Sequence, residues 1–240
     1  DARVGVSYEA LSRINTQLQK IGSSLLVKKG KTIAVWESLL EEFDVKEVFF
    51  NKDYEPYAVK RDTTICELLE TNNSVPFPFK DQVIFEEKEI TKADGLPYTV
   101  YTPFKNKWLE KYKSIAPVPE YDATDMFSNF HKYSFTFPTL QQIGFEESPI
   151  KVKPHNLKFI ANYQEIRDFP ALDKTTYLSP HLRFGTVSIR KLVNWAFHKN
   201  DVFLSELIWR EFFMQILFSF PKVVTQNFKA AYDGIQWRNN

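Results

Sequence analysis

The hydrophobic pattern of this 240-residue chain changes its period partway along, and this change constrains the fold more than any other feature. From about residue 1 to residue 113, short β-branched or aromatic runs alternate with longer amphipathic runs. Such alternation is typical of βαβ units around a parallel sheet. From about residue 160 onward the pattern is helical. We therefore predict an α/β N-terminal domain with a Rossmann-like parallel sheet, joined by a linker to an all-α domain.

Prolines mark the boundary between the two regions, because proline cannot continue a helix or fill a central strand. Five of them punctuate the irregular stretch, namely Pro117, Pro119, Pro138, Pro149 and Pro154. The predicted organisation is an α/β domain at residues 1–114, a linker at 115–160 and the opening part of a helical domain at 161–240.

The same patterns predict individual elements. In the first region the predicted helices cover residues 7–21, 33–43, 58–70 and 105–112. The predicted strands cover residues 24–27, 47–50, 75–77 and 83–85. In the second region the best helical segments are 180–200, 204–220 and 223–231. The sequence therefore predicts three or four parallel strands followed by helices.

Several functions find no support in the sequence. Its seven glycines form neither a G-x-G-x-x-G nor a P-loop pattern, so the usual phosphate-cradling motifs are absent. The four histidines are scattered, and we predict no metal site. No stretch approaches the roughly 18 apolar residues of a membrane span, and we predict no membrane contact. The single cysteine, Cys66, cannot form an internal disulfide and fits a reducing cytoplasm, where we place the protein.

Residues 175–185, TTYLSPHLRFG, can begin a helix behind three hydroxyl groups. Ser179 suits the N-cap and Pro180 the first helical position. Free N–H groups, hydroxyls and the positive end of the helix dipole together suit a phosphate or pyrophosphate. The alternative is an ordinary helix cap that binds nothing, and the residues alone favour that alternative.

A second constellation is SELIWREFF at residues 205–213. Helical geometry puts Glu206, Trp209, Arg210 and Phe213 on one face. Such a face can serve a flipped base, because an indole stacks, a carboxylate accepts base N–H groups and a guanidinium meets phosphate. The alternative is an ion pair between Glu206 and Arg210, worth a few tenths of a kcal/mol, with Trp209 packed in the core. The residues alone slightly favour that alternative.

In this order and separation, the two blocks resemble the flavin-binding half of the cryptochrome/photolyase family. YQEIRDFP at residues 163–170 is similar to the family's approach to the same site. NKDYEPY at 51–57 and YTVYTPF at 98–104 resemble its antenna domain. The resemblance spans nearly the whole chain. It implies an internal segment of a class I cyclobutane pyrimidine dimer photolyase, a lyase that transfers an electron from light-excited reduced FAD to a flipped dimer.

The resemblance also implies roles for particular residues, with no catalytic side chain in this stretch. The residues implied to contact the FAD phosphates and ribityl chain are Tyr163, Thr175, Thr176, Tyr177, Leu178 and Ser179. The residues implied to contact DNA or the flipped dimer are Arg167, Glu206, Trp209, Arg210 and Phe213. Trp209 is implied to stack on the lesion and Glu206 to hydrogen-bond a pyrimidine edge.

Damaged DNA containing a pyrimidine dimer is the implied partner, and the full-length protein is implied to be a monomer. A second, antenna chromophore of the folate, deazaflavin or flavin type is left undetermined. Both ends of the sequence are expected to be cut, and these residues alone are expected to be inactive. The alternative within the family is a cryptochrome-like blue-light photoreceptor without repair activity. Glu206 together with Trp209 favours the cyclobutane-dimer enzyme.

Three positions depart from the family pattern. Thr176 stands where Ser is frequent, Tyr177 where Arg is frequent, and Ser205 where Asn is frequent. None of the three removes a hydroxyl that the flavin would need. Ser205, however, cannot reproduce the contacts of an amide side chain.

Overall fold

A computed structural model of the chain describes residues 1–236 and 238. Its elements are, in chain order, α1 (Ala2–Gln19), α2 (Thr32–Glu42), β1 (Glu47–Asn51), α3 (Pro56–Thr71), β2 (Val75–Phe79), α4 (Tyr101–Ile115), α5 (Tyr163–Ile166), α6 (Leu178–Arg183), α7 (Ile189–Phe197) and α8 (Asp201–Ser219). Short 3-10 turns lie at Thr124–Asn129, Ile160–Asn162, Pro221–Val224 and Ala230–Tyr232. Asn240, where the predicted helical domain ends, lies outside the described residues.

The chain divides into two compact units, each built from two separate stretches of sequence. The first unit comprises Asp1–Leu39 and Pro119–Trp195, and the second comprises Leu40–Val118 and Ala196–Asn240. Each unit thus draws on residues before and after the proline-rich stretch. The domain boundaries derived from the sequence are contiguous along the chain, and they stay a prediction.

The second unit contains the sheet, in which β1 and β2 pair in parallel. Glu47 lies opposite Val75, and Asn51 lies opposite Phe79. Helix α3 makes the crossover that a parallel pair requires. The predicted fold class, a parallel α/β region followed by helices, is confirmed. The two strands predicted at residues 47–50 and 75–77 are also confirmed, each slightly longer than expected.

The strand predicted at residues 83–85 is wrong, because its main-chain groups bond to side chains of α8. The N–H groups of Ile84 and Phe85 donate to the carboxylate of Glu211, at 2.6 and 3.1 Å. The carbonyl oxygen of Phe85 accepts from the side-chain amide of Gln215 at 2.9 Å. The apolar run is deeply buried, as expected, but it is irregular chain docked on a helix.

The strand predicted at residues 24–27, in the first unit, is also wrong. The N–H of Leu25 donates to the side-chain oxygen of Asn15 at 2.9 Å, and the hydroxyl of Ser24 donates to the carbonyl oxygen of Tyr133 at 2.9 Å. Asn15 is itself buried on α1. A buried asparagine therefore fixes this segment where the sequence suggested a strand.

Two of the later helix predictions need correction. The helix predicted at residues 180–200 is interrupted between α6 and α7, where Gly185 adopts a φ of 67° that glycine tolerates without steric cost. The segment predicted to be helical at 223–231 contains parts of two short 3-10 turns. The segment predicted at 204–220 is confirmed as α8, which begins three residues earlier than expected.

Aromatic packing between α4 and α8 forms the core of the second unit. Helix α4 buries Phe104, Trp108 and Tyr112 at fourfold spacing. The ring of Phe104 lies 5.2 Å from that of Phe212 on α8, and Trp108 meets Phe85 edge-on at 5.4 Å. Burying a side chain of this size contributes on the order of 2 kcal/mol. This packing holds α8, which carries the second constellation, against α4.

Candidate functional site

Helix α8 begins at a side-chain cap. The side-chain oxygen of Asn200 accepts hydrogen bonds from the N–H groups of Val202 and Phe203, at 3.0 and 2.9 Å. Asp201 follows in the first turn, where a negative charge interacts favourably with the helix dipole. The cap thus fixes where the helix starts and which residues face the core.

Replacing Asn200 with alanine is expected to lower the free energy of unfolding by about 1 kcal/mol, because two N–H groups at the start of α8 lose their acceptor. Asn200→Asp keeps an acceptor oxygen and serves as the matched control. Urea denaturation of the two variants and the parent measures the difference. Equal loss in both variants would show that the cap is not the source of the stability.

The four α8 residues predicted to share a face are partly accessible. Glu206, Trp209 and Arg210 are half-buried, and Phe213 is 60% exposed. The opposite side of the helix is buried through residues such as Leu207, Ile208 and Phe212. Trp209 is therefore partly accessible. The alternative of a Glu206–Arg210 ion pair required Trp209 to be packed in the core.

Trp209 lies in a group of aromatic rings. The ring of Tyr101 stacks on the indole with centroids 3.5 Å apart and planes inclined by 9°. Phe213 stacks on the indole at 5.4 Å and 23°, and Phe212 meets it edge-on at 5.6 Å. The structure thus brings together Trp209 and Phe213, both predicted site residues, and adds Tyr101.

The polar residues of this face also have defined surroundings. Arg210 donates through Nη1 to the carbonyl oxygen of Gln82 at 2.6 Å. Burial raises the pKa of the Tyr101 hydroxyl, the hydrogen bond with Ser205 opposes that shift, and the negative charge of Glu206 adds to it. Glu206 therefore lies close enough to Tyr101 to act on it electrostatically. Arg210 is partly engaged in holding α8 to the main chain at residue 82.

A buried carboxylate, Glu211, lies on the core side of the same helix and is 2% exposed. One oxygen accepts from Trp108 Nε1 at 2.7 Å and from the N–H of Phe85 at 3.1 Å. The other oxygen accepts from the N–H of Ile84 at 2.6 Å. Three N–H donors from α4 and from the segment before it therefore converge on one side chain. Glu211 joins those two regions to α8.

Burial raises the pKa of the Glu211 carboxyl from 4.5 to about 7, although the three N–H donors oppose the shift. Between these pH values the unfolded chain releases the proton while the folded chain retains it. The folded state therefore loses stability as pH rises from 4.5 through about 7. At about 1.4 kcal/mol per pH unit, the full loss is about 3 kcal/mol.

Glu211→Gln is expected to remove this part of the pH dependence, because glutamine does not ionise. Urea denaturation at pH 5, 6, 7 and 8 measures the free energy of unfolding of the parent and the variant. The difference between them should change most between pH 5 and 7. If the free energy of unfolding of the parent and of the variant changed with pH in parallel, the raised pKa of Glu211 would be contradicted.

The predicted FAD-phosphate residues lie around α6 in the first unit. Tyr177 occupies the cap position with a φ of 53°, in the left-handed region. The expected cap at Ser179 is therefore wrong, since Ser179 is the second helical residue. The hydroxyls of Thr175 and Thr176 instead face the N–H groups of Tyr177 and Leu178, each at 3.4 Å. Leu178 is buried, whereas Thr175 and Ser179 are exposed.

Neighbouring charges fix Tyr177, which departs from the family pattern. Its hydroxyl donates to the carboxylate of Asp173 and accepts from Lys153 Nζ at 2.8 Å. The same ammonium group lies 4.5 Å from the centre of the Tyr177 ring. The main-chain carbonyl of Thr176 accepts from the N–H of Asn156 at 2.8 Å. These contacts order the segment that carries the predicted hydroxyls.

Tyr163 and Arg167 lie next to one another in the first unit. Tyr163 begins α5 and is half-buried, and the guanidinium of the exposed Arg167 lies 5.6 Å from its ring centre. Arg167 also contacts Asp168 at 3.5 Å. The structure thus pairs a residue predicted to bind FAD with one predicted to bind DNA. The predicted residues on α8 belong to the second unit.

Sequence reasoning missed Tyr101, Trp108 and the role of Glu211. Glu211 carried a usable signal, since it falls between Ile208 and Phe212 on the apolar side of the predicted helix. A carboxylate at such a position requires buried partners. Tyr101 carried no comparable signal, because its partner Ser205 is 104 residues away in the sequence.

Within residues 1–236 and 238, no cluster of three or more His, Cys, Asp or Glu side chains is arranged to hold a metal ion. Over the same part of the chain, no helix combines the length and apolar character needed to cross a membrane.

Residues 1–122 match the family described as DNA photolyase, and residues 203–240 match the FAD binding domain of DNA photolyase. The first match covers half of the chain. The chain belongs to the DNA photolyase family.

Among curated relatives, the deoxyribodipyrimidine photo-lyase of Halobacterium salinarum is 31% identical over 99% of this chain and 55% of its own length. A class III photolyase from Agrobacterium tumefaciens has a TM-score of 0.76 at 23% identity, covering 97% of this chain and 53% of its own. An archaeal photolyase from Sulfolobus tokodaii, solved with two FAD molecules, has a TM-score of 0.67 at 25% identity over 100% of this chain and 54% of its own. The chain thus spans about half the length of the curated relatives it matches.

Proposed function

We propose that this chain is part of a deoxyribodipyrimidine photo-lyase, which repairs cyclobutane pyrimidine dimers in DNA with light and reduced FAD. The observation that carries the proposal is the partly accessible face of α8, on which Glu206, Trp209 and Phe213 lie together. Relatives named for this activity match nearly the whole chain. The assignment to class I within the family remains part of the proposal.

On this proposal the α8 face receives the flipped dimer. Trp209 supplies a flat apolar surface on which a pyrimidine stacks. Glu206 accepts a hydrogen bond from the N–H edge of a pyrimidine, and Phe213 extends the apolar surface at the DNA. Arg210 and Arg167 contribute positive charge towards the DNA phosphates. These residues position the lesion, and none of them is required to transfer a proton.

The α6 segment supports FAD as the cofactor through its donor chemistry. The hydroxyls of Thr175, Thr176 and Ser179 lie within one short segment, and two of these residues are exposed. Hydroxyl and main-chain N–H donors are the groups that phosphate oxygens accept from. These residues, together with Tyr163, Tyr177 and Leu178, would hold the phosphates and ribityl chain. When bound and reduced, FAD supplies the electron that light excitation delivers to the dimer.

Several finer features belong to the proposal as well. We place the protein in the cytoplasm and regard it as a monomer when full length, acting on dimer-containing DNA. A second chromophore of the folate, deazaflavin or flavin type completes the proposal, its identity undetermined. A structure with two FAD molecules among the similar proteins supports a second site of this kind.

The test is expression of the complete reading frame, followed by an absorption spectrum and a repair assay. The protein should carry a flavin spectrum and restore intact thymines in an oligonucleotide with one cyclobutane dimer, under blue light and not in the dark. The 240-residue chain, assayed in parallel, should show no repair. Flavin binding without repair would favour the photoreceptor alternative, and the absence of flavin would contradict both.

A further inference from the structure

The ring of Tyr101 is fixed at two points on α8, one helical turn apart. Its hydroxyl lies 2.7 Å from the carbonyl oxygen of Ser205 and 2.6 Å from the Ser205 hydroxyl. A carbonyl oxygen can only accept, so the Tyr101 proton is directed to it and the Ser205 hydroxyl donates in return. The body of the ring stacks on Trp209, four residues further along the helix.

This arrangement restrains the indole of Trp209. A parallel ring at 3.5 Å covers one face of the indole, so rotation about the Trp209 side-chain bonds would break the stack. Tyr101 is the first residue of α4, and α4 packs on α8 through Phe104 and Phe212. The tyrosine is therefore held by two helices. Phe213 stacks on the indole as well, at 5.4 Å, and Trp209 as a whole stays half-buried.

Restraint of this kind matters for a residue that must stack on an incoming base. A side chain ordered before binding loses less conformational entropy when it binds. A base that meets a pre-oriented indole therefore binds more tightly than one that must order it.

We infer that Tyr101 is a positioning residue that holds the Trp209 indole in the orientation required to stack on an extruded pyrimidine dimer. The inference rests on the proposed function, because it assigns to Tyr101 an effect on lesion binding through Trp209. Tyr101 acts on the affinity for damaged DNA, and the light-driven step itself proceeds without it.

The experiment uses the FAD-loaded protein from the complete reading frame and the variants Tyr101→Ala, Tyr101→Phe and Tyr98→Ala. Tyr98 is the matched control, since it is also half-buried. Its ring packs edge-on against Phe104, which lies on α4 as Tyr101 does. The probes are one duplex with a single thymine cyclobutane dimer and an undamaged duplex of the same sequence. Dissociation constants, repair rates at saturating damaged DNA and near-UV circular dichroism are measured for each protein.

Tyr101→Ala should weaken binding of the damaged duplex about three- to tenfold, the range expected for loss of one aromatic stack. Its repair rate at saturation and its affinity for undamaged DNA should stay within about twofold of the parent, and its near-UV signal should lose intensity. Tyr101→Phe keeps the stack and should largely restore both the affinity and the spectrum. Tyr98→Ala should bind the damaged duplex like the parent.

Unchanged affinity in Tyr101→Ala, or an equal loss in Tyr98→Ala, would overturn the inference. A lower repair rate at saturation with unchanged affinity would overturn it as well. These outcomes presuppose that the parent protein prefers the damaged duplex. A parent that shows no such preference contradicts the proposed function itself, so the two failures are distinguishable.

Discussion

Replacement of Glu211 by alanine should lower the free energy of unfolding by about 3 to 5 kcal/mol, because it removes the acceptor shared by three buried N–H groups. The change leaves three buried donors without an acceptor, namely Ile84 N, Phe85 N and Trp108 Nε1. Each unsatisfied buried donor costs about 1 to 3 kcal/mol. Urea or thermal denaturation of the purified protein measures the loss.

Glu110→Ala is the matched control for this substitution. Glu110 lies on α4 and forms an exposed pair with Lys107, at 3.0 Å. Exposed pairs of this kind contribute at most about 1 kcal/mol, so the control should be nearly as stable as the parent. If the two alanine variants lost the same stability, Glu211 would not be the side chain that joins α8 to the rest of the second unit.

The second large effect is expected for Trp209→Ala in the protein expressed from the complete reading frame. Base stacking on an aromatic side chain contributes about 1 to 3 kcal/mol, which corresponds to a loss of affinity between about fivefold and 150-fold. The loss should be confined to dimer-containing DNA, because Trp209 carries no charge for phosphate binding. Titration of damaged and undamaged duplexes provides the measurement.

Trp36→Ala controls for the removal of a half-buried tryptophan, since Trp36 lies on α2, away from α8 in sequence and in the other unit. It should bind both duplexes like the parent. Trp209→Phe keeps an aromatic ring and should fall between Trp209→Ala and the parent. A Trp209→Ala protein that still discriminates damaged DNA as the parent does would remove the main support for the proposed lesion site.

Hydrophobic periodicity predicted those parts of the fold whose hydrogen bonds are local or follow a regular ladder. The helices and the two strands β1 and β2 are of this kind. It failed at residues 24–27, which are only half-buried, and at residues 83–85, which are buried as expected. In both segments main-chain N–H groups bond to side chains. Those acceptors are Asn15 and Glu211. A single sequence shows that such a run is apolar, but it does not show where its main-chain groups find partners.

In the candidate site, too, local spacing predicted some features, whereas contacts with residues distant in sequence were not predicted. The spacing of Glu206, Trp209 and Phe213 was sufficient to predict one helical face, because neighbours on a helix are fixed by its period. The covering of Trp209 by Tyr101 depends on how α4 packs against α8, which no local pattern encodes. The cap at Ser179 was misplaced because Tyr177 adopts a left-handed conformation that is uncommon for a residue other than glycine.

The docking of residues 82–85 on α8 has a consequence for how this stretch can evolve. Arg210, Glu211 and Gln215 hydrogen-bond carbonyl and amide groups that every amino acid carries, apart from the amide that proline lacks. Amino-acid identity at residues 83–85 can therefore change among apolar types while the number of residues stays constant. A proline at position 84, or a one-residue deletion, would remove main-chain partners of Arg210, Glu211 or Gln215 and weaken the attachment of this stretch to α8, although no side chain of α8 is changed.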